Sequence, residues 1–342
     1  MFVYLIRRLN LLITTLFLIS LFSFSLGHFF PGDPVINFSG QQSLDYDEYE
    51  ALSQTLGMNQ SYFEQYIIYL RRILDGDLGL SFSTQTPLID DVIRVMPASI
   101  ELSFYALLLT LVLGLPLGLW AGIKQHKLVD KIIFTLATMA NSVPIFWSGL
   151  IFILIFSLNN QIFPMSGRLN LLYEVPSQTG FLLMDIFLAD MPNKLAVYQD
   201  ALTHLVLPTL TLAILPTTLL IGMMRSSVVN VMRSPYIKAA LTKGLSTREL
   251  ISRHVFRNAI VPIIPQFSLL FNILMTSTMI TEIIFSWPGI GHWLIEAIYQ
   301  RDYPAIQATL LLVASIMIMI TVVLDILHML VNPLARQTLH AK

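Results

Sequence analysis

The chain contains no cysteine, which excludes disulfides, thiolate metal sites and a lipid-modified cysteine. Charge is scarce too: 12% of the 342 residues are Asp, Glu, Lys or Arg, against about 25% in a soluble globular chain. No G-x-x-x-x-G-K-[ST] loop is present to cradle a phosphate, and no H-E-x-x-H or G-x-S-x-G to support proteolysis. The seven histidines lack metal-ligand spacing. What remains is apolar: 55% hydrophobic residues and a mean hydropathy of +0.70. Too few polar side chains are left to cover an aqueous core. A soluble enzyme, a disordered chain and a nucleic-acid binder are thereby excluded. If the protein moves a solute uphill, the energy comes from another chain or from an ion gradient.

The apolar residues fall in runs of about 20, the length a helix needs to cross about 30 Å of hydrocarbon. Six runs predict spans at 9–30, 98–123, 132–158, 204–224, 261–284 and 306–331. They are too long and too evenly apolar for barrel strands, and backbone groups in lipid must be satisfied within the segment. The fold expected is therefore all-α, with six transmembrane helices. Arg7 and Arg8 precede the first run as they would in a signal peptide. The run is long, however, and Gly27–Pro31 offers no small-residue cleavage site, so a retained helix is expected.

Fourteen of the twenty basic residues lie in one set of alternate segments, with only Asp130 and Glu249 as acids. That set comprises Arg7 and Arg8, then Lys124, Lys127 and Lys131, then seven residues from Arg225 to Arg257, and finally Arg336 and Lys342. By the positive-inside rule these segments and both termini are cytoplasmic. The expected division is 1–30 for the N-terminus and first helix, 31–97 for a periplasmic segment, 98–331 for helices two to six, and 332–342 for a cytoplasmic tail. A second outer segment spans 159–203. Within 31–97, Tyr62, Tyr66, Ile67 and Leu70 predict an amphipathic helix. Asp75-Gly76-Asp77-Leu78-Gly79-Leu80-Ser81-Phe82 follows as a turn-rich element.

The inner loop, 225–260, is the most patterned stretch. Pro235 can open a helix, and Tyr236 to Lys243 continue it. Gly244 is placed to end it in the left-handed conformation. Ser246 and Glu249 form a capping box, flanked by Leu245 and Leu250 as a hydrophobic staple. The pattern predicts a helical elbow suited to a lever. An amphipathic surface loop whose basic residues obey the positive-inside rule is the alternative that the residues alone leave open.

A resemblance decides between them. The loop resembles the cytoplasmic EAA loop of ABC-transporter permeases in its dipeptide/oligopeptide version, through Tyr236, Ala239, Lys243-Gly244-Leu245-Ser246, His254, Arg257-Asn258-Ala259 and Pro262. Lys238 departs from the acidic residue of the generic loop. Leu56-Gly57, Gln65-Tyr66, Gly76–Phe82, Ser142–Trp147, Glu282–Gly291 and Arg301-Asp302-Tyr303-Pro304 resemble further segments of that family in the same order. Ser166-Gly167-Arg168-Leu169, with Leu171–Val175, resembles the Sap-type branch, associated with peptides, antimicrobial ones among them.

The resemblance implies an ABC importer-type permease of the bacterial inner membrane. It implies a heterodimer with a second homologous permease chain, two cytoplasmic ATPase subunits and a periplasmic substrate-binding protein. ATP and Mg would be bound on the ATPases, and no cofactor or metal on this chain. The coupling residues it implies are Tyr236, Lys238, Ala239, Ala240, Lys243, Gly244, Leu245, Ser246, Glu249, His254 and Asn258, with small Ala239 and Ala240 permitting close approach to an ATPase groove. A small organic cation such as a polyamine, with export as its direction, is the alternative substrate. An ion-coupled secondary transporter is the alternative class, and six spans without a repeat argue against it.

Polar residues in spans default to functional hypotheses because they are costly there. Asn141 and Asn272 are candidates for lining a pathway. Glu282, with the Trp287-Pro288-Gly289 turn, is a gating candidate, Asp325 an interhelical partner, and Glu101 a further charge near an outer end. His28 and His204, at the interfaces, are expected as hydrogen-bonded structural histidines.

Overall fold

The structure, a computed structural model, describes residues 2–41 and 44–331. The tail at 332–342, with Arg336 and Lys342, lies outside the described residues. Within them the chain is helical, with a single isolated bridge, Leu80 to Pro87, as its extended pairing. In chain order the helices are α1 (Phe2–Phe29), α2 (Pro34–Ser39), α3 (Tyr46–Thr55), α4 (Tyr62–Leu74), α5 (Leu88–Ile123), α6 (Leu128–Asn141), α7 (Ile145–Phe152), α8 (Leu182–Leu188), α9 (Lys194–Met232), α10 (Pro235–Thr242), α11 (Thr247–Glu249), α12 (Phe256–Ile260), α13 (Phe267–Ile284), α14 (Ile290–Gln300) and α15 (Tyr303–Val331).

Five helical stretches are long and apolar enough to cross a membrane: Leu5–Phe29, Leu88–Ile123, Lys194–Met232, Thr247–Ile284 and Tyr303–Ile326. Two outrun the spans expected of them. At 1.5 Å per residue, the 36 residues of α5 and the 39 of α9 are about 55 Å long or more, well beyond about 30 Å of hydrocarbon. Polar ends such as Asp90, Asp91 and Asp200 mask these extensions from a hydropathy reading. Pro116, Pro208 and Pro216 stay inside continuous helix, as neighbours in a bundle allow.

The third expected span is not a straight helix. It consists of α6 and Ile145–Asn159, bent by 99° at a break over Ser142-Val143-Pro144. Pro144 has no N–H to continue the ladder and biases Val143 away from helical geometry. The second half ends in a π-helical stretch, Ile153–Asn159. The pair makes a sixth span if both halves lie on one crossing. The helix expected at 261–284 also starts earlier, at Thr247. It runs through a π-helical stretch, Leu250–Val255, and a 3₁₀ stretch, Val261–Gln266, that holds Pro262 and Pro265.

The chain divides into two compact units. The first comprises Met1–Ser99 and Pro288–Val322. Its core gathers Phe24, Val35, Phe38, Leu56 and Tyr66. The amphipathic helix α4 forms as expected, capped by Ser61 and Glu64, and turns Tyr66, Tyr69 and Leu70 inward, although Tyr62 is exposed. Two of the quoted segments meet here. Buried Asp302 accepts from Ser81 Oγ at 2.6 Å and Ser83 N at 3.1 Å, and caps α15 through Ala305 N at 3.1 Å. His28 corrects an expectation: it packs against the rings of Phe24, Phe38 and Tyr62, and its Nε2 has no hydrogen-bond partner among the described residues.

The second unit comprises Ile100–Trp287 and the residues from Val323 onward. A buried cluster in it joins Leu220, Met224 and Val228 of α9 to Ile237 of α10, and to Leu250, Val255, Ala259, Ile263 and Leu270. His204 is hydrogen-bonded as expected, with Nδ1 2.9 Å from the Asp200 carbonyl.

Candidate functional site

The elbow between α9 and α13 is built by local sequence. Ser234 is extended, at φ −67° and ψ 147°, and Pro235 starts α10. Its end is a complete Schellman motif: Gly244 N donates to Leu241 O at 3.0 Å and Leu245 N to Ala240 O at 3.4 Å. Gly244 sits at φ +82°, in the left-handed region that its position predicts. Two residues later Ser246 Oγ accepts from Glu249 N at 3.3 Å while Ser246 N donates to the Glu249 carboxylate at 3.4 Å, the reciprocal capping box.

The two faces of α10 differ. Ile237 is fully buried in the cluster below α9 and Ala240 packs against it. Tyr236, Lys238, Ala239 and Lys243 are exposed. Ala239 is exposed, whereas Ala240 is half-buried against the cluster below α9. Gly244, Ser246, Glu249 and Asn258 are exposed, while Leu245 and His254 are half-buried. Asn258 Nδ2 donates to His254 O at 2.7 Å.

The elbow stands on a tightly packed base. A Cβ on Gly114 would lie 2.8 Å from Leu220, on Gly118 2.6 Å from Met224 and 2.8 Å from the Ile221 carbonyl, and on Gly122 2.6 Å from Val228. The register advances four residues on both helices, so α5 and α9 run side by side through a small-x-x-x-small stripe that lets backbones meet. Asp130, at the start of α6, is almost fully buried. It accepts from Arg225 Nη2 at 2.9 Å, from Arg225 Nε, and from His126 N at 2.8 Å. Arg225 also lies over the Phe134 ring at 5.0 Å. Ser227 Oγ donates to Ala259 O at 2.6 Å, tying α9 to the returning helix.

A second polar node holds the 164–185 segment. Arg168 donates to buried Glu101 through Nε at 3.1 Å and through Nη2, to Gly180 O at 2.9 Å, and lies 5.8 Å from the Trp287 ring centroid. Leu183 N donates to Glu101 at 3.2 Å, and Gly167 N to Phe285 O at 2.8 Å. Asp185 is buried, which pushes its carboxyl up. Donors from Thr179 and Gly180 outweigh that and hold it below the usual carboxylate range. A depressed carboxylate stabilises fully above its unfolded value of about 4 and loses that contribution as pH falls through the lower folded value. Proteolysis of residues 160–193 is therefore expected to stay slow at neutral pH and to accelerate below about pH 4. Asp185→Asn should show the fast pattern at neutral pH.

Asn141, the last residue of α6, is exposed and accepts weakly from Thr218 Oγ1 at 3.5 Å. Asn272 is half-buried on α13, and Asp325 accepts from Ser268 Oγ at 3.3 Å. Glu282 and Trp287 have no exposed surface, and Trp287 N donates to Glu282 O at 2.8 Å. Pro288 and Gly289 belong to the other unit, where Gly289 precedes α14 in extended conformation. Sequence reasoning missed the ion pairs of Arg168 with buried Glu101 and of Arg225 with buried Asp130, because the partners are 67 and 95 residues apart. It also missed Gly114, Gly118 and Gly122, whose four-residue spacing was visible.

Among known families, the profile described as "Binding-protein-dependent transport system inner membrane component" matches residues 114–337. Its N-terminal companion matches residues 1–103. The chain is 39% identical over 330 residues, covering 96% of it and 97% of the relative, to the di/tripeptide transport system permease protein DppB of Pseudomonas aeruginosa. It is 38% identical over 341 residues, 100% of the chain and 99% of the relative, to the putrescine export system permease protein SapB of Escherichia coli K12. It is 37% identical with the same coverage to the peptide transport system permease protein SapB of Salmonella typhimurium.

Proposed function

The chain belongs to the family of binding-protein-dependent transport system inner membrane components, and from that premise we propose that it is the permease subunit of a peptide importer. Permeases of this family are multi-pass inner-membrane proteins that work with ATPase and substrate-binding partners. In our reading this chain pairs with a second, homologous permease. Two cytoplasmic ATPases hold the ATP and Mg, and a periplasmic protein delivers the peptide. Both termini and the elbow at 225–260 face the cytoplasm, and 31–97 and 159–203 face the periplasm.

The observation that carries the reading is the elbow. Its Schellman turn, capping box and buried Ile237 make α10 a stiff projection with an exposed face of Tyr236, Lys238, Ala239 and Lys243. That is the geometry required of a part that receives force from another subunit and passes it to the spans. Two relatives are named for peptide transport, which supports peptides as substrate.

Transport by the reconstituted complex tests the substrate. ATP-dependent uptake of a tripeptide that putrescine does not compete supports the reading. Outward movement of putrescine without peptide uptake, as the Escherichia coli relative's name describes, overturns it. Orientation has its own test. Because the chain has no cysteine, Asp47→Cys is expected to react with an impermeant maleimide in intact spheroplasts. Arg248→Cys should react only after the membrane is opened, and the reverse pattern would invert the topology.

A further inference from the structure

We propose that the Asp130–Arg225 pair makes α6 part of the coupling lever, and that the break at Ser142-Val143-Pro144 is the hinge on which this inner body turns against α7. The inference rests on the elbow's coupling role and adds how its motion reaches the middle of the spans.

The polar contacts of α6 with α9 lie on the elbow side of Pro216. Asp130 grips Arg225 through two guanidinium nitrogens, and Asn141 meets Thr218. The contact of α7 lies on the other side. A Cβ on Gly149 would sit 3.3 Å from Thr211 and 3.2 Å from Ile284, so the two halves of the third span meet α9 on opposite sides of Pro216. Both chains of hydrogen bonds are weakened at the same level, because neither Pro144 nor Pro216 has an N–H to donate. The bend of 99° is also far larger than a proline kink in a continuous helix gives.

The clamp is firm where the hinge is soft. Asp130 is nearly fully buried and its carboxylate is satisfied by Arg225 and by His126 N. The Phe134 ring holds the same guanidinium one turn further along α6. Arg225 lies on the stretch of α9 whose neighbours pack against Ile237 of the elbow, and Ser227 on that stretch bonds to Ala259 beyond it. Force on α10 therefore displaces this stretch of α9, and the ion pair carries α6 with it. What yields is the break. Opening or closing it would move Asn141, at the end of α6, against the start of α7. A static brace would give the same contacts without the motion.

The test uses the complete transporter in nanodiscs, with cysteine-free partner subunits and spin labels on the permease. Leu136→Cys with Leu154→Cys spans the break, and Leu136→Cys with Leu241→Cys lies within the inner body; all three positions are exposed. Trapping with ATP and vanadate is expected to change the first distance by about 5 Å, the scale of a one-turn shift, and to leave the second unchanged. Asp130→Asn should broaden the second distance and lower substrate-stimulated ATPase about tenfold, a usual coupling factor. The swap Asp130→Arg with Arg225→Asp should restore at least part of that loss, since it re-forms the pair; the distance across the break separates a moving clamp from a static brace. A first distance that stays fixed while the wild-type complex transports overturns the hinge. Full stimulation in Asp130→Asn overturns the clamp. A wild-type complex that hydrolyses ATP without any transport would instead sink the coupling reading itself.

Discussion

Gly244→Val is expected to leave a normally inserted permease that no longer couples ATP hydrolysis to transport. Gly244 occupies φ +82°, where a side chain with a Cβ is disfavoured by about 1–2 kcal/mol, and a β-branched one by more. No atom lies within 4 Å of a Cβ built there, so crowding adds nothing and the penalty is one of backbone alone. The turn would relieve it by leaving the left-handed region. The Schellman bonds of Gly244 to Leu241 and Leu245 to Ala240 would then break, and α10 would lose its fixed angle to the capping box at Ser246. The spans lie outside this lesion, so abundance in the membrane should match wild type. Gly244→Asn is the informative companion, since Asn tolerates the left-handed conformation better than other residues do. It should keep most of the substrate-stimulated ATPase that valine abolishes. Equal stimulation in the valine variant and wild type would show that the turn is incidental.

The elbow was legible because each of its signals is local. A proline at the start, a glycine after the last turn and a serine three residues before a glutamate act within a few residues of themselves. The spans were legible for a related reason, since lipid imposes one requirement on every residue of a run. What hydropathy could not see is helix that continues past the lipid, as in the polar ends of α5 and α9. It also could not see helix that stops inside it: Ser142-Val143-Pro144 lies in a run whose composition is uninterrupted, and a proline alone does not announce a bend of 99°, as Pro208 and Pro216 in unbroken α9 show. The half-burial of Ala240 depended on the cluster below it, which draws residues from Leu220 to Leu270 together. Glu101–Arg168 and Asp130–Arg225 are pairings across 67 and 95 residues, and no local rule selects a partner at that distance. The quoted segments Gly76–Phe82 and Arg301–Pro304 are the instructive middle case. Each is legible separately, and the bonds from Ser81 and Ser83 to Asp302 explain why they occur together.

Gly118→Leu is expected to be the most destabilising single change in the second unit. The Cβ position at Gly118 lies 2.6 Å from Met224 Cβ and 2.8 Å from the Ile221 carbonyl oxygen. The first neighbour is a fully buried side chain and the second is backbone inside α9, so neither can swing aside as a flexible tip would. Even alanine must push the helices apart by several tenths of an ångström. Leucine adds three further carbons to a seam with no room, beyond the roughly 1–3 kcal/mol typical of overpacking. Separation at Gly118 would also loosen Gly114 against Leu220 and Gly122 against Val228, because one rigid helix carries all three contacts. Lipid offers no hydrophobic drive to re-close the gap, since its chains solvate leucine as well as the partner helix does. The elbow would suffer with the seam, as Met224 and Val228 belong to the cluster that seats Ile237. Thermal unfolding in detergent should therefore show a graded loss from wild type through Gly118→Ala to Gly118→Leu, with the last poorly abundant in the membrane. Gly222 on α9 provides the control, because a Cβ there meets nothing within 4 Å and alanine should be tolerated. A Gly118→Leu protein as stable as Gly222→Ala would mean that α5 and α9 are not in contact along this stripe.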